Sequence, residues 1–349
     1  MQVIEIEGAA RASQVVVGDV YRHLSRRIPA GRAVVVTDEN ILRLYRAELP
    51  PFPVLSIGTG EGAKTLDTVR GLYESMLDLE VDRSVFMVGI GGGIVCDVTG
   101  FTAATFLRGL RFGFVATSLL AQVDAAVGGK NGVNLEGYKN LVGTFQQPEF
   151  VLCDPRFLKT LPEAEVANGL AEIVKHALIA DAGMFAAIEE RAESALQLDP
   201  AVIARLVSDS VRIKASVVGR DEREAGERRI LNFGHTLGHA LEAAGRFSHG
   251  EAVSVGMVFA AAVSMRRGRL EAAAYDRIIR LLQRLRLPTE ATAELRRLQA
   301  AVGKDKKRRG ESIHMVQLNG IGAAVVETVT IEEFLHWAAE VPGILRFAG

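Results

Sequence analysis

The sequence predicts an α/β N-terminal domain on a mainly parallel sheet, residues 1–154, followed by a mainly α-helical C-terminal domain, residues 155–349. Three observations predict it. Short β-branched runs alternate with helical stretches early in the chain, the signature of strand–helix–strand units. From about Pro155 apolar residues recur at helical spacing. Between the two regions, Gln147-Pro148 and Asp154-Pro155 punctuate the chain.

Taken in order, Gln14–Gly18, Ala33–Thr37, Val54–Ile57 and Ser84–Ile90 read as strands. Thr65–Leu79 and Asp97–Phe106 read as helices between or after them. In the second region Glu163–Ile179, Phe185–Leu196, Ala201–Val218, His235–Ala244, Glu251–Arg266 and Ala272–Leu285 read as helices. Ser312–Leu318 and Ala323–Val326 read as a hairpin across Asn319-Gly320-Ile321-Gly322.

Composition narrows the class of function. Lys and Arg number 41 against 42 Asp and Glu, a net charge of −1 over 349 residues, so no global charge marks a nucleic-acid or membrane-surface binder. Hydrophobic residues at 48% and charged residues at 24% suit a soluble globular protein. The longest apolar run, Ala252 to Val263, is too short to span a bilayer. The N-terminus has no basic start and no long apolar stretch, so no secretory signal is expected. Two cysteines, Cys96 and Cys153, are too few for a disulfide framework and fit a reducing cytoplasm.

Several clusters could carry chemistry. Gly91-Gly92-Gly93 lies between a strand and Ile94-Val95-Cys96-Asp97. Bare backbone at a helix start favours an anion such as a dinucleotide pyrophosphate, although a plain tight turn has the same composition. Asp38 and Asn40 follow the strand Ala33–Thr37, where an acidic residue could hold ribose hydroxyls or merely cap a helix. Gly60-Glu61-Gly62-Ala63-Lys64 is a second small loop. Gln122–Asn134 combines Asp124, Gly128-Gly129, Lys130, Asn131 and Asn134, with Lys139-Asn140 shortly after. Such a segment is either a solvated loop or an oxyanion site.

His235 and His239 stand four apart on one predicted helix face, and His249-Gly250-Glu251 opens the next helix. Clustered imidazoles with a carboxylate make a divalent-metal site. Glu172 could be that carboxylate, or it could form an internal ion pair with Lys175 or His176. His176 is itself a possible ligand. Lys214 and the run Asp221–Arg229 read as a solvated charged stretch, and Lys304–Arg309 as a basic patch.

Together these motifs resemble the 3-dehydroquinate synthase family of sugar-phosphate cyclases. The resemblance rests on Gly91-Gly92-Gly93 with Asp97, Ala121–Asp124 with Val127–Lys130, Gly169–Glu172, Asn232–Thr236 with Gly238-His239, and His249-Gly250-Glu251. It implies an N-terminal NAD-binding domain, a helical domain holding one zinc- or cobalt-type divalent metal, and an active site between them. The metal ligands it implies are Glu172, His235 and His249, with His176 not used. The NAD environment it implies is Asp38, Asn40, Glu61, Lys64, Gly92, Gly93, Ile94, Val95, Cys96, Asp97, Thr117, Ser118, Lys130, Lys139, Phe157, Leu158, Lys159 and Thr160. The substrate set is Asp124, Lys130, Asn140, Lys175, Lys214, Arg228, Asn232 and His239. Arg108 resembles an arginine that reaches the partner subunit's phosphate site, which implies a homodimer, and Lys306 or Lys307 resembles a late phosphate-contacting lysine. Two departures stand out: Ala116-Thr117-Ser118 replaces Pro-Thr-Thr, and Phe247-Ser248 replaces a leucine before His249.

The activity implied is conversion of 3-deoxy-D-arabino-heptulosonate 7-phosphate to 3-dehydroquinate and phosphate in the cytoplasm. It proceeds by transient oxidation, phosphate elimination, re-reduction and aldol closure. The alternatives are a sibling sugar-phosphate cyclase and a metal-dependent polyol dehydrogenase.

Overall fold

A computed structural model describes residues 1–8, 12–29, 31–243, 245, 247–293, 312–341 and 344–347. Lys306 and Lys307 lie outside the described residues. The chain forms two compact units: Met1–Leu161 with Lys214–Arg223, and Pro162–Ile213 with Glu224–Gly349.

The first unit runs β1 (Gln2–Ile6), β2 (Ser13–Val17), α1 (Leu24–Arg27), β3 (Ala33–Asp38), α2 (Glu39–Tyr45), β4 (Val54–Ile57), α3 (Leu66–Asp78), β5 (Phe86–Gly91), α4 (Gly93–Thr105), β6 (Arg111–Ala116), β7 (Lys130–Leu135), β8 (Tyr138–Phe145) and β9 (Phe150–Cys153). Seven strands form one sheet in the order β1-β2-β9-β6-β5-β3-β4. Only β1–β2 is antiparallel; every other neighbouring pair is parallel. The expected mainly parallel sheet is present. Its interior strands β5 and β9 are buried throughout, because the chain covers both faces and leaves no polar side for alternation to mark. Val35, Val88, Val115 and Leu152 pack with Tyr21, Tyr45 and Phe157 in one core.

The strand order positions a site. The chain leaves β3 for β4 on one side and leaves β5 for β6 on the other. The connections diverge between β3 and β5, so their carboxyl ends open a crevice at a topological switch point. Asp38 ends β3 and Gly91 ends β5.

The second unit comprises α5 (Glu163–Ala180), α6 (Ala182–Glu190), α7 (Ala192–Leu196), most of α8 (Pro200–Arg220), α9 (His235–Ala243), α10 (His249–Arg266), α11 (Ala272–Arg284), β10 (Ala291–Ala293), β11 (Ser312–Leu318), β12 (Ala324–Thr330), α12 (Ile331–Glu340) and β13 (Leu345–Phe347). The expected late hairpin is β11–β12, antiparallel, with Gly320 and Gly322 both at φ +88° in its turn. Helix α10 packs against α9, α5, α11 and β11. It is buried nearly all round, which explains its uninterrupted apolar run.

The structure corrects several element assignments. The helix expected from Asp97 already begins at Gly93. The helix expected over Phe185–Leu196 is two helices, broken at Arg191. The segment around Lys130, open between a solvated loop and an oxyanion site in the sequence, starts the hairpin β7–β8, which turns at Glu136-Gly137. No helix among the described residues is long and apolar enough to cross a membrane.

Candidate active site

In the second unit, α5, α9 and α10 bring three donors together. Glu172, His235 and His249 each offer one ligand atom, and these atoms lie within 4.8 Å of one another. The approach of α9 and α10 has a backbone cause. A Cβ at Gly256 would fall 1.8 Å from the Gly234 carbonyl oxygen, so only glycine permits this contact. On the other side, Asn168 Oδ1 accepts the Gly250 N–H at 2.8 Å. Asn168 lies one helical turn before Glu172, so a single face of α5 fixes the start of α10 and supplies the carboxylate. Ser248 N–H and Oγ–H donate to Glu251 Oε2 at 2.8 and 2.7 Å, which starts α10 at His249. Ser248, one of the departures from the family pattern, thus works as a helix cap, and Glu251 is its partner.

The imidazoles are oriented. His235 Nδ1 lies 3.1 Å from the Phe233 carbonyl oxygen, which can only accept. Nδ1 therefore carries a proton, and Nε2 faces Glu172 Oε1, 3.7 Å away. His249 Nε2 is 3.3 Å from the same oxygen, and His249 Nδ1 is 3.6 Å from Glu242 Oε1. Glu172 Oε2 meets the Lys175 ammonium, and both side chains are fully buried. The ion pair and the imidazole cluster thus use different oxygens of one carboxylate. Burial alone would raise the Glu172 carboxyl. The Lys175 charge, the His249 hydrogen bond and the imidazole charges outweigh it and hold Glu172 well below the usual carboxylate range. Burial would likewise lower His249, but Glu172 and Glu242 push it up to about 10. One carboxylate oxygen and two imidazole nitrogens at this spacing fit a divalent cation of zinc type.

His239 is exposed, with its ring 5.2 Å from that of His235 in an edge-on arrangement. His176, which falls with Glu172 in a second group of possible ligands, shares a 2.5 Å hydrogen bond between its Nδ1 and Ser210 Oγ. Arg228 is buried in a 3-10 turn, Glu227–Asn232, and Asn232 Nδ2–H donates to Glu224 Oε1 at 2.5 Å.

In the first unit, Gly92 caps α4 with no side chain on its first N–H groups. A Cβ at Gly91 would overlap Val95, and one at Gly93 would press on Ala125 at 3.0 Å. The glycines are needed for the close turn, and they bare backbone where an anion is favoured. Asp38 also caps α2, accepting the Ile41 N–H at 2.9 Å. Asn40 accepts from Arg43. Lys64 is paired with Asp97 beside the glycine turn. Burial raises the Asp97 carboxyl, and the Lys64 ammonium offsets part of that. Glu61 accepts from Asn134 Nδ2 at 2.7 Å and lies 3.8 Å from the Lys139 ammonium. Asn140 N–H donates to Asn134 Oδ1 at 2.9 Å, with Asn140 at φ +49°.

Thr117 N–H donates to the Gly91 carbonyl, and Ser118 Oγ accepts the Ala121 N–H. Ser118 keeps the hydroxyl that the family pattern has there. The thiol of Cys96 is buried, and burial pushes it well above its ordinary value. Phe157 and Leu158 are buried, Phe157 edge-on to Tyr21 and Tyr45; Lys159 and Thr160 are exposed, and Thr160 bonds Tyr45 at 2.8 Å.

Asp124 lies in a π-helical turn, Ala121–Ala125, a geometry common at functional sites. The Lys214 ammonium donates to Asp124 Oδ1 and to its carbonyl, both at 2.6 Å. Lys130 is exposed at the start of β7. Arg108 is exposed on a turn where Leu107 and Arg108 both hold positive φ, 50° and 65°. Such a conformation costs about 1–2 kcal/mol per residue.

Glu242 and Ser210 escaped the sequence reading, and Glu224 lies in the run read as a solvated charged stretch. Glu242 carried one signal: it follows His235 by seven and His239 by three, on one helix face.

Comparison with known proteins agrees with this picture. The model of the 3-dehydroquinate synthase N-terminal region matches residues 54–168, and that of the C-terminal region matches residues 169–308. A 3-dehydroquinate synthase of Symbiobacterium thermophilum is 43% identical over 338 residues, 92% of each chain. Among solved structures, the 2-epi-5-epi-valiolone synthase of Streptomyces hygroscopicus, with NAD+ and Zn2+ bound, superimposes with a TM-score of 0.88 at 27% identity, covering 97% of this chain and 98% of its own. A 2-deoxy-scyllo-inosose synthase with carbaglucose-6-phosphate, NAD+ and Co2+ gives 0.83 at 28%, covering 97% and 99%. With two family models in chain order and such identity across nearly its whole length, this chain belongs to the 3-dehydroquinate synthase family.

Proposed function

We propose that this chain converts 3-deoxy-D-arabino-heptulosonate 7-phosphate to 3-dehydroquinate and phosphate. The observation that carries the reading is the convergence of Glu172, His235 and His249 in a chain of this family. NAD, when bound, supplies a hydride acceptor regenerated in the same turnover, and a divalent metal supplies Lewis acidity toward the substrate hydroxyls.

The residues divide the work as follows. Gly92, Gly93 and the start of α4 hold the cofactor pyrophosphate, with Asp38 on a ribose hydroxyl. Glu172, His235 and His249 hold the metal. Asp124 fixes the Lys214 ammonium, and Lys214 and Arg228 bind the substrate carboxylate. Asn140 and Asn232 position hydroxyls, and His239 moves a proton beside His235. Lys130, Arg108 and Lys306 bind the phosphate, Arg108 from the second subunit of a homodimer. The enzyme works in the cytoplasm, in line with its two free, buried cysteines.

The test supplies metal-loaded protein with catalytic NAD and 3-deoxy-D-arabino-heptulosonate 7-phosphate. Stoichiometric phosphate without lasting NADH is expected. Phosphate only from sedoheptulose 7-phosphate or glucose 6-phosphate would move the chain to a sibling cyclase. Net NADH from a polyol would make it a dehydrogenase.

A further inference from the structure

We infer that Glu242 is a positioning residue for the metal site, acting through His249; this rests on the metal-binding reading given above. His249 offers Nε2 on the side of Glu172, 3.3 Å away, and turns Nδ1 toward Glu242 Oε1 at 3.6 Å. That distance is an ion-pair contact, longer than a hydrogen bond. The two carboxylates therefore bracket the ring, one at each nitrogen.

His235 follows the same logic, with the Phe233 carbonyl at its Nδ1. Each imidazole thus has an oxygen acceptor behind it, and only that of His249 bears a full charge. A carboxylate behind a ligating imidazole fixes its tautomer and raises its basicity toward a cation. The Glu242 side chain is only 12% exposed, so water screens its charge weakly. Its place on α9, the helix that also carries His235, ties the second ligand's orientation to the first ligand's helix. A cation drawing density from Nε2 makes the Nδ1 proton more acidic, which strengthens its attraction to Glu242.

The test compares wild type with Glu242→Gln and Glu242→Ala, and with Glu172→Gln as a reference for a lost ligand. Two quantities are read for each: the Zn2+ dissociation constant by chelator competition, and the melting temperature after chelation. Loss of an outer partner typically costs 10–100-fold in metal affinity. The expected result is a Zn2+ dissociation constant raised about 10–100-fold in Glu242→Ala. A smaller rise is expected in Glu242→Gln, which keeps an acceptor but not the charge. Melting of the chelated protein falls less in Glu242→Gln, which preserves the packing, than in Glu242→Ala. Wild-type Zn2+ affinity in both variants overturns the proposal. So does a loss that is equal in both and tracks a lowered melting temperature, which makes Glu242 merely structural. If Glu172→Gln itself binds Zn2+ like wild type, the metal-site reading fails instead.

Discussion

Replacing Glu172 by Gln removes one charge from a buried pair and takes that counter-charge away from the Lys175 ammonium. The Glu172 and Lys175 side chains are 0% and 1% exposed, so no solvent reaches the ammonium that remains. Breaking a buried pair from one side costs about 3–5 kcal/mol. For a domain of 150–250 residues, each kcal/mol moves the melting temperature by roughly 2–4 °C. The chelated variant should therefore melt roughly 6–20 °C below wild type by calorimetry. The pH dependence follows from the direction of the Glu172 shift. Its folded pKa is held below the unfolded value near 4.5. The stabilisation is then complete above that value and falls away as acid brings the pH down toward the folded one. The part of the gap that titrates with Glu172 should narrow below about pH 4.5, and the part carried through His249, whose proton Glu172 helps to hold up to about 10, should shrink as the pH rises above 6.5. Adding Lys175→Met to Glu172→Gln removes the remaining charge of the pair and should restore part of the loss. A melting shift under about 2 °C, or a double variant no better than the single, would refute the reasoning.

Three further outcomes follow from the same geometry. His249 holds a proton up to a pKa of about 10, so a cation taking Nε2 must release it; calorimetry in buffers of different ionisation heat should find about one proton per metal and affinity rising toward tenfold per pH unit between about pH 6 and 9. Proton-independent binding would remove His249 from the ligand set. Gly256→Ala forces a Cβ to within 1.8 Å of the Gly234 oxygen, an overpacking cost of about 1–3 kcal/mol or more that a lowered urea midpoint would report; an unchanged midpoint would mean the helices separate freely. Asp124→Ala strips a carboxylate from Lys214, which is 7% exposed, and should cost about 1.5–3 kcal/mol and lower activity with the circular dichroism spectrum retained. Loss of folding would make Asp124 structural.

Where local chemistry dictated the structure, it was legible. The strand–glycine–helix turn at Gly91-Gly92-Gly93 could be read because bare backbone there has few other uses. The helix start was placed too late because glycines score as turn, whereas here Gly93 is already helical. Strands β6 and β9 were missed because short, wholly buried runs carry no alternation. Hairpin β7–β8 was missed because Lys130, Asn131 and Gly132 look like loop, while Gly132 pairs with Gly143 at a backbone approach that tolerates no side chain. Spacing and residue type pointed to a cluster of imidazoles with a carboxylate, and the family resemblance narrowed it to Glu172, His235 and His249. Glu242 could not be found that way: its partner His249 belongs to the next helix, and one carboxylate on a helix surface is ordinary. Residue type alone left ion pair and ligand open at Glu172, and only the resemblance chose between them. A sequence does not show that a carboxylate has two oxygens facing two ways.

The contact of Gly256 with the Gly234 carbonyl has a consequence for binding entropy. Two backbones in contact leave no rotamers between them to rearrange, so the spacing of α9 and α10 is set by covalent geometry more than by side-chain packing. The imidazoles of His235 and His249 stand on these stiff supports, with rings 5.5 Å apart. On the proposed reading, a cation arriving there finds its donors converged and has little ordering left to impose. The free energy of each donor bond then appears as affinity, with little of it diverted into fixing a loose site.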